Sequence, residues 1–245
     1  MAPPRTTRLE RPKRRGEEKP RGLSLEELLG ETAEDKGLPL QVSLGIAKQV
    51  ADHLAAGHDG SGSGGSWAPK LSPATVTMDA TGLVHLVAPR DTGEVDGSPV
   101  AGYASPEELL GAPADARSRL FSLGVLLFEL LSGQRLYGGP DLQARARVLE
   151  EPPPDLGEAR PDCPPELVEL LFELLCKEPE GRPRSAAEVS RRLGDLAAAR
   201  AAWEGEVDLA SFVRDLEGED QSEPAPMPRA RTPTPSTERV PRSAP

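Results

Sequence analysis

The sequence predicts a mainly α-helical lobe carrying one small β-hairpin and flanked by two irregular tails. Three observations lead there. The segment Ser118–Ser132 is apolar on nearly every face, with Leu120, Phe121, Leu123, Val125, Leu126, Leu127, Phe128, Leu130 and Leu131. A helix of that kind belongs at the centre of a domain. Leu167, Leu170, Leu171, Leu174 and Leu175 fall at i, i+3, i+4, i+7 and i+8, the one-sided stripe of a helix packed against such a centre. Two β-prone runs, Thr75–Met78 and Leu83–Val87, bracket Asp79-Ala80-Thr81-Gly82, which reads as a tight hairpin.

The remaining elements follow in chain order. Residues 1–21 are rich in Pro, Arg and Lys and have no apolar period, so a disordered basic arm is expected. Ser24 and Glu27 form a capping box that opens a short helix through Leu29. Leu40, Leu44, Ala47, Ala51 and Leu54 recur at helical spacing over about Pro39–Ala56. A Gly/Ser-rich stretch, Gly57–Ser66, ends that helix. Ser105, Pro106 and Glu108 supply a cap, a proline at the first turn and a glutamate at its third position, a second helix start. Pro179 stops the leucine-striped helix. Ser185 and Glu188 open another, running towards Trp203, and a short helix is expected over Asp208–Leu216. The lobe is therefore placed at 22–217 and a Pro-rich disordered tail at 218–245. Thr232-Pro233 and Thr234-Pro235 in that tail have the form of proline-directed phosphorylation sites.

Composition narrows the function. The chain has 245 residues, enough for one sizeable core, and a formal net charge of −11. Residues 1–22 contain eight Lys/Arg and three Asp/Glu, about +5, which leaves about −16 on the remainder. An acidic body disfavours nucleic acid and anionic membrane as partners. Cys163 and Cys176 are the two cysteines, and His53, His58 and His85 the three histidines; none has metal-type spacing. No secretory signal is read at the N-terminus, and the longest apolar run falls short of the ~20 residues of a membrane span. The expected compartment is the cytoplasm, with no metal and no cofactor.

Several motifs resemble one family. Tyr103-Ala104-Ser105-Pro106-Glu107 resembles the A-P-E element that closes a protein kinase activation segment. The run from Ala116 to Gly133 resembles the central helix of the large lobe. Lys177-Glu178-Pro179-Glu180-Gly181-Arg182-Pro183 resembles the loop before its last helix, and Gly22–Leu29 the helix after the hinge. By order and spacing, residues 16–200 are similar to bacterial serine/threonine protein kinases. The resemblance implies a kinase-like C-lobe, with the small lobe expected to be absent. It also implies a structural ion pair between Glu107 and Arg182.

The same alignment implies losses. Phosphoryl transfer uses a catalytic Asp and metal-binding Asp and Asn residues. Here Lys70 stands where the family has the catalytic Asp, Thr75 where it has the metal-binding Asn, and Ala88 at the metal-binding Asp. The Asp by which the family tethers its catalytic loop to the central helix is Arg119. Lys70, Arg90 and Arg119 together are a candidate anion site, since Lys and Arg bind carboxylate and phosphate. The implied function is that of a pseudokinase, a protein-binding scaffold or regulator of signalling whose partner is another protein, such as a true kinase or its substrate. Two alternatives stay open: a kinase with atypical or partner-supplied catalytic elements, and a decayed fragment with no selected role.

Overall fold

The structure, a computed structural model, describes residues 22–31, 37–58, 70–87 and 99–216. The expected basic arm, residues 59–66 of the Gly/Ser-rich stretch, the Pro-rich tail with its two Thr-Pro pairs, Ala88 and Arg90 lie outside the described residues, and the stretch's first residue, Gly57, falls within a helix that ends at His58.

The first elements are strand β1 (Gly22–Ser24) and helix α1 (Leu25–Glu31). Ser24 and Glu27 make the expected reciprocal cap: Ser24 N–H donates to Glu27 Oε2 at 2.9 Å, and Glu27 N–H donates to Ser24 Oγ at 3.2 Å. Leu25 and Leu28 then point into the core. Helix α2 (Leu40–His58) follows, with Leu44, Ala47, Val50 and Ala51 fully buried.

Strands β2 (Val76–Asp79) and β3 (Val84–Leu86) form the expected hairpin. Its turn is made by Asp79, whose carboxylate accepts from Thr81 N–H, the Thr81 hydroxyl and Leu83 N–H. Gly82 completes it at φ +77°, a left-handed conformation that favours glycine. The sheet holds one strand more than the sequence predicts. β1 pairs antiparallel with β2, Leu23 opposite Met78, giving the order β1-β2-β3. Three residues are too few to display a period of two, so only the pairing partner reveals the strand.

The outer edge of β3 is closed by side chains of α2. Gln49 donates to Gly82 O at 3.0 Å and accepts from Val84 N–H at 2.9 Å, and a His53 ring nitrogen meets Val84 O at 2.7 Å. Edge groups that would otherwise be open are thereby satisfied.

Helix α3 (Pro106–Leu109) leads to α4 (Ala116–Ser132). Asp115 caps α4 by accepting Ser118 N–H at 2.9 Å, and Gly133 ends it in the left-handed region. From Leu120 to Leu131 every residue is buried, so α4 is the axis of the lobe. It packs against α7 (Pro165–Leu174) at Gly124, where an added Cβ would lie 2.8 Å from Leu174 Cβ. Between them run α5 (Asp141–Glu150) and α6 (Leu156–Ala159). The sequence does not announce either, because α5 buries only Ala144 and Val148 and α6 only Leu156.

Helix α8 (Ala186–Glu204) starts at Ser185, whose hydroxyl accepts Glu188 N–H at 3.2 Å. It lies along α2, tied there by the bond from Ser190 to Asp52. Helix α9 (Leu209–Leu216) returns to α2 and the hairpin turn, with Leu209 beside Gly45 and Gly82 and Val213 fully buried. Apolar side chains from α1 through α9 join one core. The lobe is mainly helical with a small antiparallel sheet, the architecture of a kinase C-lobe.

Candidate functional site

Glu107 and Arg182 meet between the N-terminus of α3 and the loop before α8. Arg182 Nη1 lies 2.7 Å from Glu107 Oε1 and Nη2 2.8 Å from Oε2, a bidentate pair. The remaining donors go to three carbonyls: Nε to Cys176 O, Nη1 to Arg117 O and Nη2 to Lys177 O. All five guanidinium N–H groups are thus used. The same guanidinium stacks over the Phe121 ring of α4 at 5.1 Å. Burial by itself would raise the Glu107 carboxyl, but Arg182, a backbone N–H and the Ser118 hydroxyl at 2.8 Å overcome it and hold the pKa at about 2. Every group here is consumed in tying one segment to another, so the cluster is a structural clamp.

Arg119 is buried too, and its guanidinium lies 3.2 Å from Glu108. Glu108 also accepts from Ser105 N–H and Oγ, closing the cap of α3. The positive charge of Arg119 is therefore met inside the lobe. Lys70, by contrast, is exposed. The candidate anion site thus loses one of its cations to an internal carboxylate.

Thr75 closes the segment 70–75. Its hydroxyl lies 2.8 Å from Lys70 O and 3.0 Å from Ser72 O, and it accepts Ser72 N–H at 3.0 Å. The side chain is buried in a 3-10 turn (Pro73–Thr75) that feeds directly into β2. Its oxygen serves as the local clasp of the loop.

A cavity of about 310 Å³ opens between α1, Pro73 and the loop after α4, lined also by Tyr103, Glu129, Gln134 and Arg135. At its floor is Glu129, 3 % exposed within α4. Its carboxylate accepts from the Tyr103 hydroxyl at 2.6 Å and from Leu136 N–H at 3.1 Å. Burial pushes the Glu129 carboxyl up to about 7, against the lowering influence of Tyr103, Leu136 and Arg135. The Tyr103 hydroxyl is pushed well above its ordinary range, by burial first and then by that neighbouring carboxylate. Among the described residues no cluster of His, Cys, Asp and Glu has the make-up of a metal site, and no helix is long and apolar enough to cross a membrane.

No family model matches the chain. Serine/threonine-protein kinase PknA of Mycobacterium tuberculosis is 32 % identical over 140 residues, covering 53 % of this chain and 32 % of that kinase. PknB of Mycolicibacterium smegmatis is 40 % identical over 92 residues, 36 % of this chain and 14 % of the kinase. The kinase pkn2 of Myxococcus xanthus is 30 % identical over 196 residues, 72 % of this chain and 23 % of the kinase. Over the matched residues the chain is a member of the bacterial serine/threonine protein kinase family. The matches span about a third or less of the relatives' own length.

Within this kinase-family lobe, Glu107 and Arg182 are the site residues that the fold brings together. Tyr103, Glu129 and Arg135 were not singled out in the sequence. A signal was present: Glu129 is the one charged residue in the apolar run Leu120–Leu131. A buried charge at such a place requires dedicated partners. Those partners come from the turn Pro99–Tyr103 and from Leu136, and no local pattern connects them.

Proposed function

We propose that the chain is a pseudokinase-like lobe that binds another protein as a scaffold or regulator of signalling and does not itself transfer phosphate. One observation carries the reading. At the positions matching the catalytic Asp and the metal-binding Asn, the loop presents an exposed lysine ammonium, Lys70, and a threonine hydroxyl, Thr75, already bonded to its own backbone. A base that accepts the substrate proton and a ligand that holds Mg²⁺ both need free lone pairs. An ammonium has none, and the Thr75 oxygen accepts Ser72 N–H. The clamp at Glu107–Arg182 supports the same reading, because it keeps the lobe rigid whatever the loop does. A rigid lobe without working chemistry is suited to binding, and a cytoplasmic protein, a kinase or its substrate, is the partner this reading favours.

The test is incubation of the full chain with labelled ATP, Mg²⁺ and a generic acceptor protein. The expected result is no transfer, together with an unchanged melting temperature in millimolar Mg·ATP, since a ligand that binds only the folded state would raise it. Transfer by the chain alone would overturn the proposal. One observation favours a second reading: the relatives are named as kinases and are longer than the matched region. Under it, another chain supplies the catalytic elements. Phosphate transfer that appears only on adding the native partner, and disappears in a Lys70→Ala or Thr75→Ala variant, would establish that alternative.

A further inference from the structure

Glu129 takes no part in the clamp or in the loop, yet it is a carboxyl buried within the apolar run of α4. Both of its bonds come from neutral donors, the Tyr103 hydroxyl and Leu136 N–H. Among the described residues no cation reaches it as an ion pair. A buried carboxylate whose hydrogen bonds come only from neutral donors, with Arg135 acting on it from beyond ion-pair distance, keeps much of its desolvation cost. Two things relieve that cost, a proton or an approaching cation. Both have a route here. The carboxylate floors the cavity described above, whose rim includes the exposed residues Glu26 and Arg135. The Arg135 guanidinium stands 5.9 Å above the Tyr103 ring. On the described elements around the cavity, the charged or titratable neighbours are Tyr103 from the turn before α3, Arg135 from the loop after α4, and Glu26 from α1.

We propose that Glu129 is a proton switch that sets the charge and shape of this cavity. Protonated, it is a neutral part of the core, hydrogen-bonded to Tyr103, and Arg135 rests over the aromatic ring. Deprotonated, it draws the Arg135 guanidinium off that ring and down towards the cavity floor, because the charge–charge attraction in a poorly solvated pocket exceeds the cation–π contact. The burial that raises this carboxyl to about 7 places the exchange at neutral pH. The switch does not depend on whether the lobe transfers phosphate.

The experiment is a pH titration of the full chain, labelled with ¹³C at glutamate carboxyls and ¹⁵N at arginine Nε, followed by NMR. The expected result is one glutamate with a midpoint near neutrality, lost in Glu129→Gln, and one arginine signal, lost in Arg135→Ala, that moves with the same midpoint. Tyr103→Phe removes a donor that favours the charged form, so it should move the midpoint upward. That shift assigns the signal even if Glu129→Gln does not fold. Every glutamate titrating below roughly 5, in the ordinary carboxylate range, would overturn the proposal. So would a neutral midpoint at which the Arg135 signal stays still.

Discussion

At the residue scale, two carboxylates of the same lobe are displaced in opposite directions, and each displacement has a stability consequence. Glu107 lies beside a fully buried guanidinium and is held at about 2, below its ordinary value of 4.5. The folded state therefore favours its charged form. That contribution is complete above 4.5 and is lost as the pH falls towards 2. Glu129 is held at about 7, above 4.5, so folding favours its neutral form. Its contribution is complete below 4.5 and is lost as the pH rises through 7. Urea unfolding at several pH values should show both signs. The stability advantage of the wild type over Glu107→Gln should shrink from pH 5 to pH 3. The wild type should lose stability relative to Glu129→Gln from pH 5 to pH 8. Parallel curves for either variant would contradict the assigned environment. Arg182→Ala is the harsher change, since it leaves Glu107 and three carbonyls without their donor. Removing one partner of a buried pair costs roughly 3–5 kcal/mol, a large share of the ~5–15 kcal/mol that a domain has in total. Urea midpoints at pH 7 measure it, and a loss under about 1 kcal/mol would place the pair among weak surface bridges instead.

At the scale of elements, two contacts fix how helices meet. The approach of α4 to α7 is set by Gly124, which leaves room for Leu174 and Leu175. The approach of α9 to the hairpin is set by Gly82. There a Cβ would stand 2.7 Å from Leu209 Cβ and from Ala210 N, at a φ of +77°. Gly82→Ala therefore meets both a steric clash with α9 and the left-handed penalty of ~1–2 kcal/mol for a residue with a side chain. The turn is also held by Asp79 and Gln49, so the element that yields is α9. Hydrogen exchange should show lost protection confined to residues 209–216, with the amides of α4 unchanged. Equal loss in both helices would mean that α9 is inseparable from the core.

At the scale of the molecule, one core is built around α4, and α9 closes its last face. Val213 is fully buried, and Leu209, Phe212 and Leu216 pack against the same core. Burying a side chain of this class contributes about 1.5–3 kcal/mol. A chain ending at Glu204 should remain folded but melt several degrees lower, at about 2–4 °C per kcal/mol for a body of this size. Scanning calorimetry would show one cooperative transition moved down. A split transition would show that α9 is a separate unit.

Helices whose signals are local were legible in the residues alone. The Ser24–Glu27, Ser105–Glu108 and Ser185–Glu188 caps act within one turn, and the leucine stripe of α7 and the all-apolar α4 declare their burial by spacing alone. The clamp at Glu107 and Arg182 was legible through family resemblance, because both residues sit in recognisable motifs. Tertiary structure decided the rest. Strand β1 exists because β2 is beside it. Helices α5 and α6 show too few apolar positions to register as periodic, and their places depend on what they cover. Arg119 was read as one cation of a candidate anion site, and the fold sets it 3.2 Å from a carboxylate eleven residues earlier, Glu108. The Glu129 carboxyl is raised because the packed core withdraws it from water, against the lowering hydrogen bonds from Tyr103 and Leu136. Period and capping are properties of neighbouring residues, and a sequence displays them directly. Desolvation and ion pairing depend on which distant groups share a small volume, and only the packed chain fixes that.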